Sequence, residues 1–242
     1  MVPQEMPESE PTTSEARAGL DDAQLRAQVI DRSAREPSPT RGQLALQHRI
    51  VLGIVLIVPL LSFIGLGGVR AAPRPNELVL QTGLGSAVLA VLFAIVGVGR
   101  GRSMLGRPRS WLLMQVLLTP VALFGWRVLV SARYPQMMEQ WAERPGIRCF
   151  TLSLLLASLP LLGLIWQRRG SDPVHPRLTA AAVGGAVGAG TWVLVDLWCP
   201  VGYVPHLLLG HVLPLVLLIS VSTLIGSRVI ALGKNRATIT DP

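Results

Sequence analysis

The sequence predicts an all-α, polytopic membrane protein: a bundle of six transmembrane helices behind a cytoplasmic, partly disordered N-terminal tail. Three observations carry that expectation. Of 242 residues, 50% are hydrophobic and only 15% are charged, too little charge to cover a soluble domain of this length. Mean hydropathy is +0.48. After a long polar start, the apolar residues gather into six runs, each near the ~20 residues that cross a ~30 Å hydrocarbon layer. A run in lipid must satisfy its own backbone, so each is predicted as a helix.

The tail comes first, over residues 1–48. Residues 1–17 (MVPQEMPESEPTTSEAR) are rich in Pro, Glu, Ser and Thr and read as disordered. Residues 19–34 can form a short helix with Leu20, Ala23, Ala27 and Ile30 on one stripe. Asp21 and Asp22 stand where a helix N-terminus favours acid. Pro37 and Pro39 end it. Such a segment reads equally well as a docking element or as an idle tail. The first apolar run starts near Ile50, too far in for a secretory signal, so the N-terminus is expected to stay on the side of synthesis.

The membrane domain is expected over residues 49–230, with spans at about 50–69, 79–98, 110–131, 149–166, 178–198 and 207–228. A short cytoplasmic tail, 231–242, closes the chain. The breaks between runs are RAAPRPNE, GRGRSMLGRPRS, RYPQMMEQWAERPGIR, QRRGSDPVHPR and CPVGYVPH. With the tail inside, the inner segments hold sixteen basic residues and the outer loops five: Arg70, Arg74, Arg133, Arg144 and Arg148. That asymmetry places both termini in the cytoplasm of a multi-pass inner-membrane protein. The net charge of +8 would also suit a nucleic-acid binder. The bases sit in short loops between spans, so they are read as topology determinants, with no direct nucleic-acid contact and lipid as the surrounding partner.

The fifth run, LTAAAVGGAVGAGTWVLVDLW, is rich in small residues, with Gly184 and Gly188 four apart. Such a face favours close helix packing, within the chain first and in a homodimer second.

Unusual residues gather at one level. Cys149 opens the fourth span and Cys199 closes the fifth, both at the outer side. In a bacterial periplasm, thiols at matched depth favour a redox-capable pair over two merely buried small residues. Arg127 and Asp196 lie near the outer ends of the third and fifth spans. Ionisable residues in spans face inward and find partners, so an Arg127–Asp196 ion pair is expected. His206 and His211 begin the sixth span. Two Cys and two His could hold zinc or copper. A five-residue spacing does not stack two imidazoles on one α-helical face, however, and the cysteines lack a local ligand motif. Neither metal nor other cofactor is therefore assigned, and the polar group Arg127, Asp196, His206 and His211 is expected to support structure.

Enzymatic signatures are missing: no CxxC, HExxH, GxSxG or phosphate loop occurs. The spans also hold few carboxylates, which leaves a proton-coupled transporter short of relay groups. The combination of six spans, Cys149, the segment LLLASLPLLGLIWQRRGSDPVHPRLTAAAVGGAVGAG and then LWCP…H…GHVLP…IGSRVIAL resembles the NrsF-type family of bacterial membrane proteins. The resemblance covers roughly residues 45–232. Characterised members of that family are anti-sigma factors for extracytoplasmic-function sigma factors. What it implies is a non-enzymatic regulator that holds a sigma factor at the cytoplasmic face. It further implies that Cys149 and Cys199 take part in the response to an envelope or redox signal. Residues 1–18 depart from the family pattern as an acidic extension. The sigma contact is accordingly sought in residues 19–34 and in inner loops 99–109 and 167–177. The competing reading is a small-molecule or metal transporter, or a metal sensor, built on the outer Cys/His group.

Overall fold

The computed structural model describes residues 41–68, 75–98, 107–135, 146–169 and 174–230. The chain divides into two compact units, Met1–Gln47 and His48–Pro242. Of the first unit only residues 41–47 are described, as the opening turns of a helix. The expected disordered segment 1–17, the expected helix 19–34 and the tail 231–242 lie outside the described residues.

Among the described residues every regular element is helical. In chain order they are α1 (Arg41–Gly65), α2 (Asn76–Gly97), α3 (Arg109–Ser131), α4 (Ile147–Gln167), α5 (Pro176–Trp198) and α6 (Val204–Ile230). Helices α2 to α6 are long and apolar enough to cross a membrane. The apolar part of α1, Arg49–Gly65, is shorter; the run expected to continue to residue 69 ends in a turn, where Gly67 and Gly68 both have positive φ. Proline starts most of these helices. Pro75 and Pro108 immediately precede α2 and α3, Pro176 opens α5, and Pro205 sits in the first turn of α6. The first turn of a helix leaves its N–H groups unpaired, so a residue without one costs nothing there.

Helix α5 is the axis of the second unit. Of its most apolar 18-residue window 78% is buried, against 22–44% in the other four spans. Small residues make this position available. A methyl group on Gly184 would meet the Leu218 carbonyl oxygen at 2.7 Å and the Ile219 Cα at 3.0 Å. One on Gly188 would run into Leu215. The small-residue face is thus occupied by α6 of the same chain, which is the intrachain alternative of the two the sequence offered. Around this axis the other helices turn large apolar side chains outward, among them Leu80, Leu84, Leu117, Val121, Leu155 and Leu162. That is the surface of a bundle whose solvent is lipid.

Helix α6 is not a plain α-helix. Its stretches Leu208–Val212 and Ser222–Gly226 are π-helical. Pro214 supplies the reason for the first. It has no N–H to give the Gly210 carbonyl, and its ring crowds that carbonyl, so the turn widens. Leu213 N–H donates to the Leu208 carbonyl, five residues back. At the second, the Ser222 and Thr223 hydroxyls both donate to the Ile219 carbonyl, at 2.9 and 2.6 Å. They compete there with the backbone ladder.

Candidate functional site: a buried cysteine–histidine pocket

The pocket lies where α4 begins, α5 ends and α6 begins. Gly146, with φ +93°, turns the chain into α4 and places Cys149 in its first turn. Cys199 follows Trp198 directly; its backbone is extended, and its N–H still donates to the Val195 carbonyl at 2.8 Å. The sulfur therefore stands at the mouth of α5 rather than along its side. Residues 200–203 carry the chain across to α6, which presents His206 from its first turn and His211 from the π-helical turn.

That wide turn decides the geometry. On a regular α-helix, residues five apart point in different directions. An i→i+5 turn brings them onto one face, and such turns recur at functional sites. The His206 and His211 ring centroids are 5.9 Å apart, so the expectation that their spacing separates them is overturned. The sequence signal that could have revealed this is Pro214, three residues after His211. Gly210, inside the same turn, lets α6 approach α4. A methyl group there would lie 3.0 Å from Cys149 Cβ and 3.1 Å from the Gly146 carbonyl oxygen.

His206 sits between the two sulfurs. Its Nε2 lies 3.1 Å from Cys199 Sγ and 3.6 Å from Cys149 Sγ, accepting from a thiol or donating to a thiolate according to its tautomer. Neither cysteine is in a disulfide. One ligand atom from each of Cys149, Cys199, His206 and His211 falls within 4.8 Å of all the others. All four residues are buried, none more than 4% exposed. His211 stands edge-on to Trp192, 5.2 Å between ring centroids, and neither of its ring nitrogens makes a well-formed hydrogen bond. The Cys199 thiol is held well below the ordinary thiol range. Its hydrogen bond with Cys149 does most of this, His206 and the nearby His211 add to it, and burial opposes it.

Arg127 of α3 and Asp196 of α5 form a second polar group at the same end of the bundle. Arg127 Nε approaches Asp196 Oδ1 to 2.8 Å, and both side chains are wholly buried. The pair anchors the pocket's connection: Arg127 Nη2 donates to the Val201 carbonyl at 3.4 Å, two residues past Cys199. The structure thus brings all six residues singled out from the sequence to one end, as a Cys/His pocket and an ion pair tied together through Val201. Sequence reasoning missed Gly146, Gly210 and Trp192, whose roles depend on contacts between helices. Of the inner loops 99–109 and 167–177, residues 99–106 and 170–173 lie outside the described residues.

Apolar packing closes the pocket. Leu156, Val195 and Val201 are buried against the two cysteines, with Leu152, Trp198 and Tyr203 around them. Such an arrangement can hold two thiols in reach of each other, pass a proton through His206, or ligate a cation. No curated protein and no solved structure matches the chain. The family described as NrsF, negative regulator of sigma F, matches residues 32–231, most of the sequence, and the chain belongs to that family.

Proposed function

We propose that this protein is an integral membrane anti-sigma factor. In this reading it sequesters an extracytoplasmic-function sigma factor at the cytoplasmic face and releases it when Cys149 and Cys199 are oxidised. Family membership supports the sigma-factor partner. The excess of basic residues in alternate loops supports an inner membrane with both termini cytoplasmic, and this puts the thiol pocket on the periplasmic side. All six helices, α1 included, serve as spans, and residues 1–48 serve as the cytoplasmic tail.

The observation that carries the switch is the convergence of two thiols, fifty residues apart in sequence and not joined in a disulfide, on one histidine. A peroxide is a sufficient oxidant. The Cys199 thiol passes its proton to His206 and, as thiolate, attacks one peroxide oxygen; the O–O bond breaks, the leaving hydroxide takes that proton back from His206 as water, and Cys199 becomes a sulfenic acid. His206 takes the proton of Cys149, whose thiolate then attacks the Cys199 sulfur. The S–O bond breaks and the second hydroxide leaves with the proton held by His206, so two thiols and one peroxide become one disulfide and two waters. An S–S bond is ~2.05 Å long, so its formation draws α4 toward the end of α5. Those two helices are joined at their other ends through residues 168–175, which gives the movement a path to the opposite face.

The experiment is capture of the cognate sigma factor on the full-length protein in membranes, before and after peroxide. The wild type is expected to release it on oxidation. The Cys149→Ser, Cys199→Ser double variant is expected to capture it and keep it. Release from the double variant at the wild-type peroxide dose would refute the switch. Failure of the reduced wild type to capture any sigma factor would refute the regulator itself.

A further inference from the structure

The same pocket has more donors than a disulfide switch requires. A thiol pair needs one base, and His206 already reaches both sulfurs. His211 is left with neither ring nitrogen in a well-formed hydrogen bond while 2% exposed. Buried imidazole nitrogens ordinarily find partners. A π-helical turn and a glycine contact between α4 and α6 bring it there. These features have one common explanation in a fourth ligand.

We infer that Cys149, Cys199, His206 and His211 form a tetrahedral site for a closed-shell divalent cation of the zinc type. Zinc takes thiolate at ~2.3 Å and imidazole at ~2.0–2.1 Å, so the donors of a tetrahedral site stand about 3.3–3.8 Å apart. Here His206 Nε2 stands 3.1 and 3.6 Å from the two sulfurs, and all four donors lie within 4.8 Å of one another. A contraction of about an ångström at the widest pair closes the site, within the reach of side-chain rotation. Charge points the same way. Two thiolates, two neutral imidazoles and a divalent cation sum to zero, the only total a pocket this dry accommodates without another counter-ion. The neighbouring Arg127–Asp196 pair is already neutral in itself. A monovalent soft cation would leave one negative charge over.

The cation would tie α4, the end of α5 and the start of α6 at a single point. It would also exclude the disulfide, because both use the same two sulfur atoms. The site stands on its four ligands and holds its ion whether or not a sigma factor is bound.

The test uses the full-length, reduced protein in detergent, equilibrated with zinc and freed of excess, with metal content measured per chain. About one zinc per chain is expected, together with the intense thiolate-to-metal absorption of a tetrahedral site when cobalt replaces it. His211→Asn is expected to weaken zinc binding at least tenfold, and Cys149→Ser together with Cys199→Ser to abolish it. Bound zinc should also shield both thiols from maleimide in the wild type. Zinc retained equally by all three proteins would place it elsewhere and overturn the site. Reduced wild type that neither retains zinc nor develops the cobalt–thiolate band would overturn it without any variant having to fold.

Discussion

The two ends of the bundle handle polar groups in opposite ways. At the end formed by the start of α4 and the close of α5, a full ion pair, two thiols and two imidazoles are all buried. At the other end, arginines reach across loops to helix-end carbonyls: Arg107 Nη2 donates to the Ile95 carbonyl at 2.7 Å, and Arg168 Nη2 donates to that of Val98. One carbonyl lies in the last turn of α2 and the other on the residue that caps it, where a cation is favoured by the helix dipole. Buried polar groups tolerate one arrangement, whereas exposed caps tolerate several. The thiol end is therefore built to hold a geometry, and the arginine end to hold a charge.

Removing half of the buried pair should have the largest effect. Asp196→Ala leaves the Arg127 guanidinium charged and without its counter-ion at zero exposure. The expected loss is ~3–5 kcal/mol, read as a drop in thermal unfolding temperature in detergent. Replacing both members with apolar residues, Arg127→Met with Asp196→Leu, is expected to recover most of it, since the unpaired charge is what costs. A single variant as stable as the wild type would mean the ion pair does not hold the thiol end. Because Arg127 also carries the Val201 carbonyl, the double variant should still loosen the Cys199–Tyr203 connection and slow disulfide formation.

At the thiol end the geometry is set to within one methyl group at Gly210. Gly210→Ala puts a Cβ 3.0 Å from that of Cys149. Helix α6 must shift by a few tenths of an ångström, at a cost of about 1 kcal/mol. The more telling readout is the thiol pair: peroxide-driven Cys149–Cys199 disulfide yield should fall, while helix content stays unchanged. An unaltered yield would show that the π-helical turn does not set the distance between the helices.

These features differ in how far they could be read from the sequence. Length and hydropathy located α2 to α6 within a few residues, because a span is bounded by charge and proline whatever its neighbours do. The buried Arg127 and Asp196 were legible as partners because a lone charge in a span has nowhere else to go. The joining of His206 and His211 was not. It depends on a backbone turn wider than the α-helical period, caused by Pro214 and stabilised by the contact of Gly210 with Gly146. Periodicity arguments assume 3.6 residues per turn, and they fail where a proline changes it. The end of α1 at Gly65 was likewise hidden, since Leu66 continues the apolar pattern and only the two glycines after it stop the helix.

The smallest effect on stability belongs to the arginine end. Arg107→Ala removes one hydrogen bond to the Ile95 carbonyl, and that carbonyl stays open to water. The expected loss is ~0.3–1 kcal/mol, within the usual range for a cation at a helix C-terminus and reduced further by salt. Thermal unfolding of Arg107→Ala should thus nearly overlay that of the wild type, in clear contrast to Asp196→Ala. If the two variants were equally unstable, the division of labour between the ends would be wrong. Sigma-factor capture provides the converse reading. Arg107 lies in an inner loop proposed to face the partner, so capture by this nearly fully stable variant should weaken. The Asp196→Ala protein, in whatever fraction remains folded, should capture normally, because its defect lies at the other end of the bundle.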